Sequence, residues 1–245
     1  MESSPDFLYP LSHCTKIARK ESPIIMDFEQ TRLASGKLYI ANDPRFAKAI
    51  KRKYEILDKL DRLPRENIDE RMHLFGQLFG SLGEGSYIEP PFYCDYGSNI
   101  HVGKNFYMNA GGSILDVVDV TIGDDVFIGP NVGIYPPYHP TVASVRNKSL
   151  EGGKPISIGS DVWIDGSAVI CPGFTIGSNM VIGAGAVVTK DIPSNSVAVG
   201  VPAHVIHTLT DEDEKKWEAE EDDYNTARER WVEKYGSLTA DGELD

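Results

Sequence analysis

The sequence predicts a mainly β protein built as a parallel β-helix, with a helical segment before it and an acidic helix after it. The prediction rests first on a strict repeat. An aliphatic residue recurs every six positions at Ile158, Ile164, Ile170, Ile176, Ile182 and Val188, and upstream the same step joins Ile122, Ile128 and Ile134. Ile134 and Ile158 are 24 residues apart, so the phase survives the gap. The second observation is glycine directly after the aliphatic position, in Val102-Gly103, Ile122-Gly123, Ile128-Gly129, Ile158-Gly159, Ile176-Gly177 and Ile182-Gly183. A period of six matches neither a helix nor a flat hairpin but suits short strands separated by tight bends. Three such strands close a triangular coil of about 18 residues, and stacked coils bury one another's plugs. Residues 85–206 are expected to form this solenoid, in about five to six coils.

Residues 1–26 are expected to be disordered. Residues 27–84 read as a helical subdomain. Asn42-Asp43-Pro44 is a helix start, followed at helical spacing by Phe46, Ile50, Tyr54, Leu57 and Leu60. A second stripe comprises Ile68, Met72, Phe75, Phe79 and Leu82. Both are packing faces, placed to cap the open end of the solenoid or to extend over a neighbour. Residues 135–155, beginning Tyr-Pro-Pro-Tyr-His-Pro and ending before Ile156, break the aliphatic pattern without shifting it, so they form a loop thrown out from the prism. In the extension 207–245, Thr210 with Asp213 resembles a capping box and Gly236 is a stop. Trp217, Tyr224 and Trp231 follow a seven-residue step, a stripe that suggests docking on the chain's own body or on another subunit.

Composition removes several classes of function. The 245 residues are 41% hydrophobic and 25% charged, a globular balance. No apolar run is long enough to span a membrane and Met1-Glu-Ser-Ser-Pro-Asp is no secretory signal, so the expected location is cytoplasmic. Cys14, Cys94 and Cys171 support neither a disulfide framework nor a cysteine zinc site. A net charge of -13 argues against nucleic-acid binding, and -9 of it falls in residues 211–245.

Chemistry must come from few residues. A metal site is not expected: His101 and His139 have no third partner within the coils, and His204-x-x-His207 lies past the last one. His139 sits at the start of the loop, stiffened by two prolines, where an imidazole can take a hydroxyl proton if something orients it. Glu151 at the far end of the loop can do so if the loop folds back. Gly166 and Ala184 are 18 residues apart and both lie two positions after a plug, so they stack and leave a shallow groove along the prism. A long, thin ligand such as a pantetheine arm fits such a groove, although small residues at bends also serve turns alone.

Several segments then carry a resemblance. Gly36-Lys-Leu-Tyr39, Pro90-Pro-Phe-Tyr-Cys-Asp-Tyr-Gly-Ser-Asn-Ile-His-Val-Gly-Lys-Asn-Phe-Tyr107, Ile114-Leu-Asp116, His139-Pro140, Gly153-Lys-Pro155, Val162-Trp-Ile164 and Val187-Val-Thr-Lys-Asp-Ile-Pro193 resemble the maltose and galactoside O-acetyltransferases, close to the nodulation acetyltransferases. The match runs in order over residues 30–207. It implies a left-handed β-helix, an exception to the right-handed crossover rule. It also implies transfer of acetyl from acetyl-CoA to a hydroxyl of a sugar or other small alcohol by direct attack, with His139 as base and Glu151 as its partner. Acceptor-binding positions fall on Asp95, Tyr107, Asn109 and Asp116. CoA-binding positions fall on Trp163, Gly166, Ala184, Thr189 and Lys190. Members are homotrimers with active sites between neighbouring prisms.

The chain departs from that pattern in places. His204 and His207 stand where the family carries basic residues, so their CoA-phosphate contacts become titratable imidazoles. Asp165-Gly166 replaces Gly-Gly, and both Pro136-Pro-Tyr138 and Ala110-Gly-Gly-Ser113 alter the acceptor side. The alternative to an enzyme is a noncatalytic trimeric scaffold that uses its acidic tail for a partner.

Overall fold

The computed structural model describes residues 28–236 as one parallel β-solenoid of about 6 turns, preceded by helices and followed by a long helix. The expectation for residues 1–26 lies outside the described residues. Three parallel sheets form the faces of a triangular prism. The first face stacks strands Phe92–Cys94, Gly112–Ile114, Gly133–Ile134, Val169–Ile170 and Val187–Val188. The second stacks Ser81–Leu82, Ile100–Val102, Val120–Ile122, Ile156–Ile158 and Thr175–Ile176. The third runs from Tyr87–Ile88 through Tyr107–Met108, Phe127–Ile128, Val162–Ile164 and Met180–Ile182 to Ser196–Val199, with His204–Thr208 closing it antiparallel.

The plugs point inward because each strand is only two or three residues long and alternates in/out. Ile128, Ile134, Ile164, Ile170, Ile182 and Val188 have no exposed surface. The residues two positions before them, among them Val126, Val132, Ala168 and Ala186, are also fully buried. Outward residues differ by face: Ser81, His101, Thr121, Ser157 and Thr175 on the second, aromatic Tyr87, Tyr107, Phe127 and Trp163 on the third.

The coils are not uniform. Trp163 pairs with Val181 and Val169 with Val187, a step of 18. Upstream the step is 20, as in Ile100 with Val120 and Ile114 with Ile134. The extra residues sit at the edge between the first and second faces, where Asp95–Asn99 and Leu115–Asp119 turn the chain. The protruding loop leaves from this edge too. Parallel pairing also starts at Ser81, upstream of residue 85, inside the segment expected to be helical.

Helices α1 (Phe28–Ala34), α2 (Ala47–Arg62) and α3 (Ile68–Leu78) precede the prism, and α2 is led in by a 3-10 turn at Pro44–Phe46 whose N-terminal N–H is capped by Asp43. The second and third of these cap the open end: Ile56, Leu57, Leu60, Leu74, Phe75, Leu78 and Phe79 continue the solenoid core, and Phe75 and Phe79 meet Phe92 edge-on, each at 5.5 Å. Two stripe residues break the expected face. Tyr54 is 50% exposed under the Lys53 ammonium and Ile68 is 46% exposed, both beyond the rim of the prism they would have to cover.

A one-turn helix α4 (Ala143–Arg146) lies at the loop's tip. The final helix α5 (Asp211–Tyr235) opens on the expected capping box between Thr210 and Asp213 and stops at Gly236, whose φ of 85° suits glycine. No residue of α5 is buried, and Trp217, Tyr224 and Trp231 are exposed. The expected docking on the chain's own body is therefore not made, because the helix leaves the prism after its first turns. No described helix is long and apolar enough to cross a membrane.

Because Ile170 is fully buried and sits between Ile134 and Val188, Ile170→Asp places a charge among plugs with no partner. Loss of soluble, cooperatively melting protein in circular dichroism is the expected result, a cost exceeding about 4 kcal/mol.

Candidate active site

The loop folds back on itself as a small hairpin. Pro137–Tyr138 pairs antiparallel with Leu150–Gly153, and Arg146 ties the tip through the carbonyl oxygens of Pro140 and Thr141 at 3.1 and 3.2 Å. Tyr138 packs directly on Gly152, a position where a side chain would collide with the ring. Strand Tyr39–Ile40, just before the 3-10 turn, adds to the hairpin's other edge, pairing with Glu151 and Leu150. This fixes both ends of the loop and brings His139 to Glu151.

His139 Nε2 lies 3.3 Å from Glu151 Oε2. Its Nδ1 lies 3.2 Å from the Leu150 carbonyl oxygen, an acceptor that favours the neutral tautomer with the proton on Nδ1. Nε2 is then the basic nitrogen. The sequence reading gave Glu151 the task of setting the tautomer; the geometry gives that to the Leu150 carbonyl and leaves Glu151 to face the charge that appears when Nε2 is protonated. The His139 side chain is 53% exposed and Glu151 only 13%. On its other oxygen, Oε1, Glu151 accepts a hydrogen bond from the Tyr39 hydroxyl.

Two further carboxylates occupy the same edge. Asp116 is fully buried, and its oxygens accept the backbone N–H groups of Asp95, Tyr96 and Asn99 at 3.0, 2.8 and 3.1 Å. It shapes the turn that carries Asp95 and, within one chain, has no exposed surface. Asp95 itself is half-buried. Burial, then the charges of Asp116 and Glu151, push its carboxyl up to about 6. Thr189 and Lys190 are exposed farther along this edge, past Val187–Val188.

The remaining candidates lie at the edge between the third and first faces. Ile164 pairs with Ile182, and the Gly185 N–H donates to the Gly166 carbonyl at 2.9 Å, so Gly166 and Ala184 stack. A shallow groove of about 540 Å³ nearby is lined by Tyr107, Asn109, Phe127, Pro130, Trp163 and Asp165. Asp165 turns its carboxylate onto the Gly166 N–H at 2.6 Å. Tyr107 and Asn109 are thus separated, within one prism, from Asp95 and His139. His204 is exposed, with Nδ1 3.4 Å from the Pro202 carbonyl. His207 Nε2 meets Asp213 Oδ2 at 2.8 Å, which with Thr210 holds the Asp213 carboxyl down at about 2. A phosphate at His207 would therefore compete with a carboxylate already there. Among the described residues no group of three or more His, Cys, Asp or Glu is arranged to hold a metal.

Tyr39, Tyr96, Asn99 and the Leu150 carbonyl were not among the residues singled out from sequence. Tyr39 lay within a quoted segment, but its partner is 112 residues away and only the strand pairing reveals it.

The comparisons agree with this architecture. Residues 32–83 match the family described as "Maltose acetyltransferase hexapeptide capping motif", and residues 155–190 match "Bacterial transferase hexapeptide (six repeats)". The chain is 42% identical over 182 residues to the galactoside O-acetyltransferase of Escherichia coli, covering 74% of this chain and 90% of that one. The crystal structure of a maltose O-acetyltransferase from Clostridium difficile 630 superposes with a TM-score of 0.73 at 46% identity, over 74% of this chain and 97% of that one. A galactoside acetyltransferase in complex with coenzyme A gives 0.74 at 41%, over 76% and 93%.

The raised Asp95 carboxyl makes a prediction with a definite sign. Between about pH 4 and 6 the unfolded chain releases this proton while the folded one keeps it, so stability falls as pH rises through that window and stays lower above it. Asp95→Asn should leave the melting temperature near pH 4 unchanged and raise it at pH 8, by up to about 3 kcal/mol in stability. Equal melting shifts at both pH values would contradict it.

Proposed function

The chain belongs to the maltose and galactoside O-acetyltransferase family of hexapeptide-repeat enzymes, and from that premise we propose that it moves acetyl from acetyl-CoA to a hydroxyl of a sugar or other small alcohol. The observation that carries the reading is the His139–Glu151 pair, with the ring's Nδ1 committed to a backbone carbonyl and Nε2 left basic. Nε2 takes the hydroxyl proton as the oxygen attacks the thioester carbonyl, and Glu151 stabilises the imidazolium so formed. The imidazolium returns the proton as the CoA thiol leaves. No acyl-enzyme is needed: of the two cysteines among the described residues, Cys94 is buried and its thiol pushed far up by burial, and burial raises the Cys171 thiol as well.

The groove beside Gly166 and Ala184, with Trp163 at its wall, is where the pantetheine arm lies in this reading, and Lys190 offers its ammonium to phosphate. Asp95 bonds the acceptor. Because the groove and the His139 edge lie at opposite margins of the first face, a complete site needs two copies, each contributing one edge, as in a homotrimer. The noncatalytic alternative draws on the exposed stripe of α5 and the occupied His207. Turnover separates the two.

Release of thiol from acetyl-CoA, assayed against a panel of sugars and other alcohols, is the direct test. His139→Ala should lower kcat by about 10² to 10⁴ with the trimer intact and CoA still bound. Glu151→Gln should cost less, since the amide keeps a hydrogen bond but no charge. An unchanged rate in His139→Ala removes the mechanism. Ala184→Trp, at an exposed edge position, should abolish CoA binding in calorimetry while the chain still melts cooperatively; normal affinity would mean that the groove is misplaced.

A further inference from the structure

Glu151 is held from two sides, and one of them belongs to the segment before the solenoid. Tyr39 is 1% exposed. Its ring meets Phe46 edge-on with centroids 5.7 Å apart, and Phe46 leans on Tyr96 at 6.1 Å. These residues and Val117 form a second small core, distinct from the plugs of the prism. The strand carrying Tyr39 is itself anchored: the Ile40 N–H donates to buried Glu29 Oε2 at 2.8 Å, and the Ala41 N–H donates to the Ser149 carbonyl at 3.1 Å. This leaves the phenol little freedom except to donate to Oε1 of Glu151. Burial first, then the Glu151 carboxylate, drive its ionisation far above the ordinary tyrosine range, so it remains a donor at any working pH.

A carboxylate in this place needs such a donor. Asp95 and Tyr96 face it from the neighbouring turn and His139 from its own loop, and Glu151 is a like charge that helps to raise the Asp95 carboxyl. Lys53 on α2 acts on Asp95 in the opposite sense. Hydrogen bonding to the charged form favours that form and orients it. With Oε1 occupied by Tyr39, Oε2 is the oxygen presented to Nε2 of His139.

We propose that Tyr39 is a positioning residue for acetyl transfer: through its buried hydroxyl the N-terminal strand orients the Glu151 carboxylate against His139, so that a segment outside the solenoid sets the protonation behaviour of the catalytic pair. This rests on the reading of His139 as the base. Removing the hydroxyl has two consequences of the same sign. The carboxylate, short of a donor, holds a proton more tightly, and while ionised it attracts the imidazolium more strongly. Both move the acid limb of the pH–rate profile to higher pH. Neither alters the distant groove beside Gly166.

The test is Tyr39→Phe in the full chain, assayed for thiol release from pH 5.5 to 9 with whichever acceptor of the panel turns over fastest. Phenylalanine keeps the ring contact with Phe46. The expected result is a fall in kcat of about tenfold, as for a displaced general base rather than a lost one, with KM for acetyl-CoA changed by less than about twofold. The acid limb moves up, and the loss nearly vanishes when the same change is made on a Glu151→Gln background. An unshifted profile, or a loss of full size on that background, overturns the proposal. His139→Ala measured in parallel keeps the two ideas apart: if it retains activity, the base is misassigned, whereas an inactive His139→Ala beside a normal Tyr39→Phe removes only the role of Tyr39. If Tyr39→Phe melts early, 3-fluorotyrosine at this position replaces it. A more acidic phenol is a stronger donor, so the acid limb should then move to lower pH, and an unshifted limb counts against the proposal.

Discussion

Backbone pairing between successive coils is the constraint on which everything else depends. Each short strand bonds only to the strands directly above and below it, so a plug is buried only if its coil keeps register at all three faces. Two edges enforce that register with one left-handed residue per coil. Gly85, Asn105, Asp125, Asp161, Asn179 and Asn195 line one of them, and Gly111, Asn131, Ser167 and Gly185 the other, all with positive φ. At the first of these, Asn105 bonds Asp125 at 2.8 Å and Asn179 bonds Asn195 at 2.9 Å, a side-chain ladder along the edge. Extra residues inserted there would break the ladder. They have accumulated instead at the remaining edge, between the first and second faces, and that edge carries His139, Glu151, Asp95 and Asp116.

The electrostatics follow from this placement. Asp95, Asp116 and Glu151 gather at one edge of the prism, and each is accommodated differently. Asp116 receives three backbone N–H groups, which oppose the effect of its burial. Glu151 receives a phenol and faces an imidazole. Among the described residues nothing donates a hydrogen bond to the Asp95 side chain, and burial with the charges of Asp116 and Glu151 drives its carboxyl up to about 6. A carboxyl that can both accept and donate suits a hydroxyl-bearing acceptor, which presents both functions.

The repeat was legible because its six-residue step recurs along most of the solenoid, and the plugs it marks are at most 5% exposed in the structure. Coil length was not. The 18-residue step pairs Ile158 with Ile176, Ile164 with Ile182 and Ile170 with Val188 but shortens to 16 between Ile182 and Ala198, and the step of 20 farther upstream arises at an edge whose sequence, Asp95-Tyr-Gly-Ser-Asn99, has no hexapeptide signature. The loop and its His139 were found because they interrupt a regular pattern, and Glu151 came with them. Asp116 entered only through the family resemblance; its hydrogen bonds could not be read from sequence, because its three N–H donors come from a turn some 20 residues earlier. Tyr54 and Ile68 fit helical stripes but lie beyond the surface those helices cover; periodicity gives a face, not the extent of what it packs on.

One prism separates what acetyl transfer must bring together. His139, the proposed base, and the carboxylates around it occupy one margin of the first face, and the groove with Trp163, Gly166 and Ala184 occupies the other. A rigid solenoid cannot close that distance by bending, because its coils are locked in register. The outward residues of the faces are unequal in a way that bears on this. The second face presents Ser81, Thr121, Ser157 and Thr175 to water, while the third presents Tyr107, Phe127 and Trp163, with Phe127 54% and Trp163 49% exposed. Aromatic surface of that kind is stabilised by burial against another protein surface. In the proposed trimer the aromatic face of one copy is the one that turns inward, and the groove at its margin then meets the His139 edge of the next copy. Under that proposal, joining the two half-sites between copies and covering the aromatic stripe are the same event, and assembly is a precondition of catalysis rather than an addition to it.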